Sequence, residues 1–191
     1  MKVSIICPTN RPSYIPHVTD MYHSQDYKNK ELIVIQGDES IGYKRNLACK
    51  EAKGDIIIHF DDDDYYAKDY VSKCVEVIKS GADTTGLSSA YFANFINGRA
   101  WKYEYTGTMP YVIGSGMAYR KSIWVENQFK DTSDGEDRLF LSAAGRVVPH
   151  GYINGFLATI HGRNTCSQHT IPYMTEISMD YVKKNINFGL Y

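Results

Sequence analysis

Three short apolar runs, each followed by a polar cluster and then a helical pattern, constrain this chain most. Val3-Ser4-Ile5-Ile6-Cys7 closes at Pro8, and Leu32-Ile33-Val34-Ile35 leads into Gln36-Gly37-Asp38-Glu39-Ser40. Ile56-Ile57-Ile58-His59-Phe60 runs straight into Asp61-Asp62-Asp63-Asp64. Between the runs, Ser13 is placed to cap a helix carrying Ile15, Val18 and Met21 or Tyr22 on one face. A second helix, over about 44–53, turns Leu47, Ala48 and Ala52 inward, with Gly54 as its stop. Val71, Cys74, Val75 and Ile78 have the spacing of a third, ended by Gly81. Unbroken apolar strands alternating with helices predict a parallel α/β sheet covered on both faces. Ligands of such sheets gather at the carboxyl ends of the strands. Pro8 to Arg11, Asp38 to Ser40 and the four aspartates all fall at that edge, and together they predict a site.

The second half reads differently. Tyr91 to Ile96, Asn97-Gly98 and Arg99 to Tyr105 predict an aromatic-rich hairpin with a type I′ turn. It serves packing or a stacking wall for sugar rings. Gly114-Ser115-Gly116 precedes the apolar Met117-Ala118-Tyr119, and Ser133-Asp134-Gly135-Glu136-Asp137 opens a helix to about Ala144.

With 191 residues the chain is expected to form one domain. Twenty-one Lys and Arg against 22 Asp and Glu leave a net charge of −1, which argues against nucleic acid as a partner. No apolar run approaches the ~20 residues of an integral membrane segment. The opening MKVSIICPTNRP does not read as a signal peptide. Cys7, Cys49, Cys74 and Cys166 are widely spaced without a CxxC pair, so reduced, mostly buried thiols and a cytoplasmic protein are expected.

Four consecutive carboxylates at the end of a buried strand repel one another, and a divalent cation relieves that repulsion. The alternative is a solvated acidic loop. An EF-hand starting at Asp61 is excluded, because its sixth and twelfth positions are Tyr66 and Ser72 rather than Gly and Glu.

Taken in order, VSIICPTNRP, the strand ending IQGDES, IGYKRNLACKEAKGDIIIHFDDDDYYAKDYV, GSGMAYRK, SDGEDRLFL and HGRNTC resemble the family 2 glycosyltransferases, over roughly residues 3 to 166. The resemblance implies a GT-A (nucleotide-diphospho-sugar transferase, Rossmann-like) fold: a mostly parallel sheet flanked by helices, with a small β-hairpin in the second half. One domain over 1–191 would then divide into a nucleotide-binding half (1–90), an acceptor-side half (91–170) and a tail (171–191) that forms a helix on the body or a lid.

By the same resemblance, Pro8, Thr9, Arg11, Asp38, Arg45, Asp61, Asp62 and Asp63 bind the nucleotide sugar. Asp63 is the favoured metal ligand, with Asp61, Asp64 and His161 as further candidates and Asp62 a spacer in the run. The cation is Mn²⁺ or Mg²⁺. Gln36-Gly37-Asp38-Glu39-Ser40 stands where the family often has Asp-Asp-Gly-Ser, which bears on the choice of nucleotide. Arg45 reads either as the family's helix arginine near the nucleotide or as a surface cation. Gly114, Ser115, Gly116 and Glu136 lie on the acceptor side. Ser133-x-x-Glu136 also has the form of a capping box, which frees Asp137 for the family's role of general base; its alternative is a carboxylate complementing the helix dipole. Arg163 and Asn164 are lesser candidates beside His161, and His59 is read as a core residue.

These assignments imply an inverting transferase, in polysaccharide biosynthesis, that moves a sugar from a nucleotide diphosphate (UDP favoured) to a hydroxyl of a glycan or other acceptor. Two further readings share the features: a metal-dependent sugar-phosphate nucleotidyltransferase, and a non-catalytic carbohydrate-binding module. The chain is short for the family. That points to a shallow acceptor site, or to one completed by a homodimer or a partner domain.

Overall fold

The computed structural model describes residues 1–164 and 173–186. The first half follows the alternation of the sequence: β1 (Val3–Thr9), α1 (Ile15–Ser24), β2 (Lys30–Gln36), α2 (Ile41–Glu51), β3 (Ile56–His59), β4 (Tyr65–Tyr66) and α3 (Tyr70–Lys79). There follow β5 (Thr84–Gly86), β6 (Ser89–Asn94), β7 (Arg99–Glu104), β8 (Ala118–Arg120), α4 (Lys121–Glu126) and α5 (Glu136–Leu141). β9 (Val147–Pro149), β10 (Phe156–Thr159), β11 (Thr175–Ile177) and α6 (Met179–Asn185) complete the described chain.

The main sheet has the order β2-β1-β3-β8-β5-β9. β2, β1 and β3 are parallel, β8 runs antiparallel to both β3 and β5, and β9 returns parallel to β5. Its two faces are divided by the two-residue period of the strands. Ile5, Cys7, Ile56 and Ile58 pack with Val18, Met21, Val71 and Cys74 on the α1/α3 side. Ile6 and Ile57 pack with Ala48, Cys49, Trp124 and Phe140 on the α2/α4/α5 side. Both faces are therefore covered, as unbroken apolar strands require. β2 is the exception: it forms an edge of the sheet, and Leu32 to Ile35 are only half-buried.

The expected hairpin is the centre of a second, five-stranded sheet, β11-β7-β6-β10-β4. The other three strands are two to four residues long, too short for a periodic signal. The turn is not type I′. Pairing runs from Ser89↔Glu104 to Asn94↔Arg99, which leaves residues 95–98 to make the turn. Of these only Gly98 has a left-handed φ, +71°, where type I′ needs two such residues. Asn94 Oδ1 instead accepts from the amides of Ile96 (3.0 Å) and Asn97 (3.2 Å).

Three helix starts also differ from the sequence reading. A 3₁₀ turn, Pro12–Tyr14, precedes α1, and Ser13 makes no cap; Tyr14 holds that position. α2 begins at Ile41, capped by Ser40, whose hydroxyl accepts from the Tyr43 amide at 3.0 Å. Gly54 is not a left-handed stop. It packs where a Cβ would lie 2.5 Å from the Ser4 nitrogen. In α5 the cap is Gly135, φ +71°, and the Ser133 hydroxyl accepts from the Ile41 amide (3.1 Å), so the Ser133–Glu136 capping box is not formed. The start of α2 claims the Ser133 hydroxyl and Arg45 claims the Glu136 carboxylate, the two groups the box would have used.

The described part of the tail, 173–186, is β11 and α6 rather than a lid. Val182 and Ile186 pack onto Tyr91, Ala93, Ala100 and Leu157 of the second sheet. Cys7, Cys49 and Cys74 are free and buried, and Cys166 lies outside the described residues.

Candidate active site

The acidic run turns each of its carboxylates differently. Asp62, read as a spacer, is 2% exposed and points back under β1. It accepts from the Thr9 hydroxyl and from the Arg11 guanidinium, while Thr9 Oγ1 accepts the Arg11 amide at 2.9 Å. Asp63 Oδ2 lies 2.9 Å from Arg11 Nη2, 2.8 Å from His161 Nε2 and 3.2 Å from Asn164 Nδ2. Asp64, a candidate metal ligand, has both oxygens engaged: Oδ2 by the Ser115 hydroxyl (2.7 Å) and Oδ1 by the Thr159 amide (2.9 Å). Burial, then the charges of Asp63 and Asp61, raise its carboxyl well above the usual range. Asp64 thus acts as a strut between β10 and the glycine loop, with both oxygens engaged.

Asp61 is the open member, with 37% of its side chain exposed. The protein packed around its inner side desolvates the carboxyl and Asp63, Asp62 and Glu136 repel its charge, which raises it above the usual carboxylate range although part of the side chain meets solvent; Arg45 pulls the other way. Its amide donates to Tyr66 Oη (2.8 Å), which pairs with Ser115 Oγ (2.8 Å) and so joins it to the Asp64 carboxylate. Beneath the cluster, burial and the three carboxylates Asp62, Asp61 and Asp63 push the Cys7 thiol well up, so it stays protonated and inert.

Helix α2 supplies three consecutive anchors. Lys44, 4% exposed, donates to the Gly37 carbonyl (2.8 Å) and fixes the loop that carries exposed Asp38. Arg45 is no surface cation: it is 3% exposed, and its Nη1 reaches Glu136 Oε1 at 2.5 Å. Nη2 lies 3.9 Å from Asp61, and Nε is buried without a partner among the described residues. Asn46 Oδ1 accepts from Trp124 Nε1 (2.9 Å) and the Phe129 amide (3.0 Å). Arg45 and Glu136 therefore tie the donor-side carboxylates to α5, where Asp137 follows. Among the described residues Asp137 Oδ1 accepts only the adjacent Arg138 amide (2.7 Å), and Oδ2 lies against Gly114.

Gly114 to Gly116 form a tight loop at the end of β3. Gly116 has φ +77° and its amide donates to the His59 carbonyl (3.1 Å). His59 is a core residue, as expected. Nδ1 faces the Gly114 carbonyl (3.0 Å) and Nε2 the Tyr119 hydroxyl (3.1 Å), and burial lowers its pKa well below 6.5.

The sequence reading missed Lys44, Tyr66 and Tyr14. Tyr14 stacks its ring under the Arg11 guanidinium at 4.6 Å, and with Ser13, His17 and Asp63 it lines an open groove of about 260 Å³. The position of Lys44 inside the Lys44-Arg45-Asn46 triplet was the available signal. Among the described residues no three His, Cys, Asp or Glu side chains converge on one point. Asp63 and His161 do present an oxygen and an imidazole nitrogen close enough to share one ion, a donor pair that suits Mn²⁺.

Residues 37–131, from the Asp38 loop through the aspartates to the glycine loop, match the family model for Glycosyl transferase family 2. The chain belongs to glycosyltransferase family 2. Solved structures place this family 2 chain in the GT-A fold. A TarS structure from S. aureus, residues 1–349 in complex with UDP-GlcNAc, superposes with a TM-score of 0.65 at 21% identity, over 86% of this chain and 60% of TarS 1–349. The mannosyltransferase PcManGT from Pyrobaculum calidifontis, in complex with GDP-Man and Mn²⁺, gives 0.61 at 14% identity, over 89% of this chain and 59% of that one. A197 from STIV gives 0.56 at 12% identity, over 78% and 82%. The family 2 chain thus spans about 60% of the TarS 1–349 chain it resembles. No curated protein matches it in sequence. No helix among the described residues is long and apolar enough to cross a membrane.

Proposed function

We propose that this family 2 chain is a metal-dependent, inverting glycosyltransferase. It would move a sugar from a nucleotide diphosphate, UDP favoured, to a hydroxyl of a glycan or other acceptor. One observation carries the reading: the buried Arg45–Glu136 pair joins Asp61, in the acidic run, to the start of α5, where Asp137 follows Glu136. The nucleotide sugars bound in the TarS and PcManGT structures support the donor class.

Asp63 and His161 would hold Mn²⁺ or Mg²⁺, which when bound neutralises diphosphate charge and so favours its departure. Thr9 and Asp62 fix the end of β1 over which the nucleotide lies, and Pro8 and exposed Asp38 flank that place. Arg11 offers charge-assisted hydrogen bonds to phosphate. Asp137 Oδ2 takes the proton of the acceptor hydroxyl as its oxygen attacks the anomeric carbon opposite the leaving diphosphate. A single displacement inverts the anomeric configuration. The reduced, buried thiols fit a cytoplasmic setting.

The test is thermal stabilisation by UDP, GDP, dTDP and CDP, each with Mn²⁺ and with EDTA, beside transfer assays of Asp137→Asn. A metal-dependent shift with one diphosphate, and a variant that keeps the shift but loses transfer, is the expected result. No shift with any diphosphate refutes the donor site. Full transfer by the variant refutes the base.

A further inference from the structure

The Arg11 guanidinium occupies the atoms that a cation would need. Nη2 lies 2.9 Å from Asp63 Oδ2, Nη1 lies 3.0 Å from His161 Nε2, and Asp62 holds the same group from behind. Its seat is not fully favourable. The Arg163 amide donates to His161 Nδ1 at 3.1 Å, which places the ring proton on Nε2, where it is donated to Asp63. Arg11 Nη1 then meets an N–H rather than a lone pair, so carboxylates alone hold the guanidinium on that side. Against the other face lies Tyr14, whose ring beside the open groove gives the side chain a path outward.

We infer that Arg11 is an internal counter-cation that trades places with the divalent ion. It screens Asp62 and Asp63 until a nucleotide diphosphate arrives, and then passes to a phosphate oxygen as the metal takes Asp63 and His161. Guanidinium and metal cannot share Asp63 Oδ2 and His161 Nε2, so metal alone binds weakly and metal with nucleotide binds together. His161 must also release the Arg163 amide, because a ring that gives Nε2 to a metal carries its proton on Nδ1. This inference rests on the donor site proposed above.

The test is Mn²⁺ binding followed by electron paramagnetic resonance, with and without UDP, in the wild type, Arg11→Gln and Tyr14→Leu. In the wild type, UDP should tighten Mn²⁺ binding by roughly tenfold or more. Arg11→Gln should bind Mn²⁺ alone about tenfold tighter than the wild type and lose most of the strengthening by UDP. Tyr14→Leu keeps the charge but loses one wall of the seat, and should fall between them; it serves as the reading if Arg11→Gln does not fold. Unchanged or weaker Mn²⁺ binding in Arg11→Gln overturns the exchange, as does tight Mn²⁺ binding by the wild type without nucleotide. Failure of UDP to bind the wild type even with Mn²⁺ refutes the donor site instead, and the Mn²⁺-alone comparison is still read separately.

Discussion

Removing Glu136 should expose how much the two halves of the site depend on one buried pair. Arg45 and Glu136 have side chains only 4% and 7% exposed, with 2.5 Å between Nη1 and Oε1. Among the described residues Arg45 Nε has no partner, so Glu136→Ala leaves a buried guanidinium balanced only by Asp61, 3.9 Å away, and the more distant Asp137. Breaking a buried pair from one side costs about 3–5 kcal/mol. The nearby Asp61 places the expected loss at the lower end, about 3 kcal/mol. An unfolding entropy of roughly 2.1 cal/mol/K per residue amounts to about 0.4 kcal/mol/K for a chain of this length, so Tm should fall by about 7–8 °C. Calorimetry and circular-dichroism melts of Glu136→Ala, Arg45→Ala and the double variant measure it. The double variant should lose clearly less than the sum of the singles, because it strands no charge. A fall below about 2 °C for Glu136→Ala, or additive losses, would refute the pair as the link between α2 and α5.

Glu31 should make the chain acid-sensitive. Burial alone would raise its carboxyl, but Lys2, the Ser4 hydroxyl and the Lys53 amide hold it at about 2. A depressed carboxylate contributes stability that is whole above pH about 4.5 and is lost as pH falls through about 2, at most about 3 kcal/mol here. Glu31→Gln should flatten stability against pH over that window, and an unchanged slope in acid unfolding would refute it. In Gly42→Ala the new Cβ would collide with the Lys130 carbonyl oxygen, backbone that cannot step aside. A loss near the top of the ~1–3 kcal/mol overpacking range is expected in urea titration, and a neutral result would show that α2 does not dock there. A Cβ on Gly114 would lie 2.5 Å from Asp137 Oδ2. Gly114→Ala should therefore cut transfer at least tenfold while the thermal shift by nucleotide stays unchanged, and equal loss of both would argue against a role confined to Asp137.

The sequence by itself determined the layered first half and pointed to one edge of the sheet for the candidate site. Its apolar runs call for cover on both faces, which β1 and β3 have in full and the edge strand β2 only in part, and a parallel sheet between helices is the arrangement that supplies it. The family resemblance added Asp61 to Asp64, Asp137 and His161 as candidates for a site there, and left Arg45 open between a place near the nucleotide and the surface. Only the tertiary structure decided what each carboxylate does. Four identical side chains in a row carry no local signal, and their roles follow from what β1, the glycine loop and β10 present to each. Thr9 and Arg11 claim Asp62, while Ser115 and Thr159 claim Asp64. Asp61 is left open, and Asp63 faces His161. Glu136 shows the same limit: a local capping pattern lost to an arginine 91 residues away in the chain, because a buried guanidinium needs a carboxylate more than a helix start needs this cap.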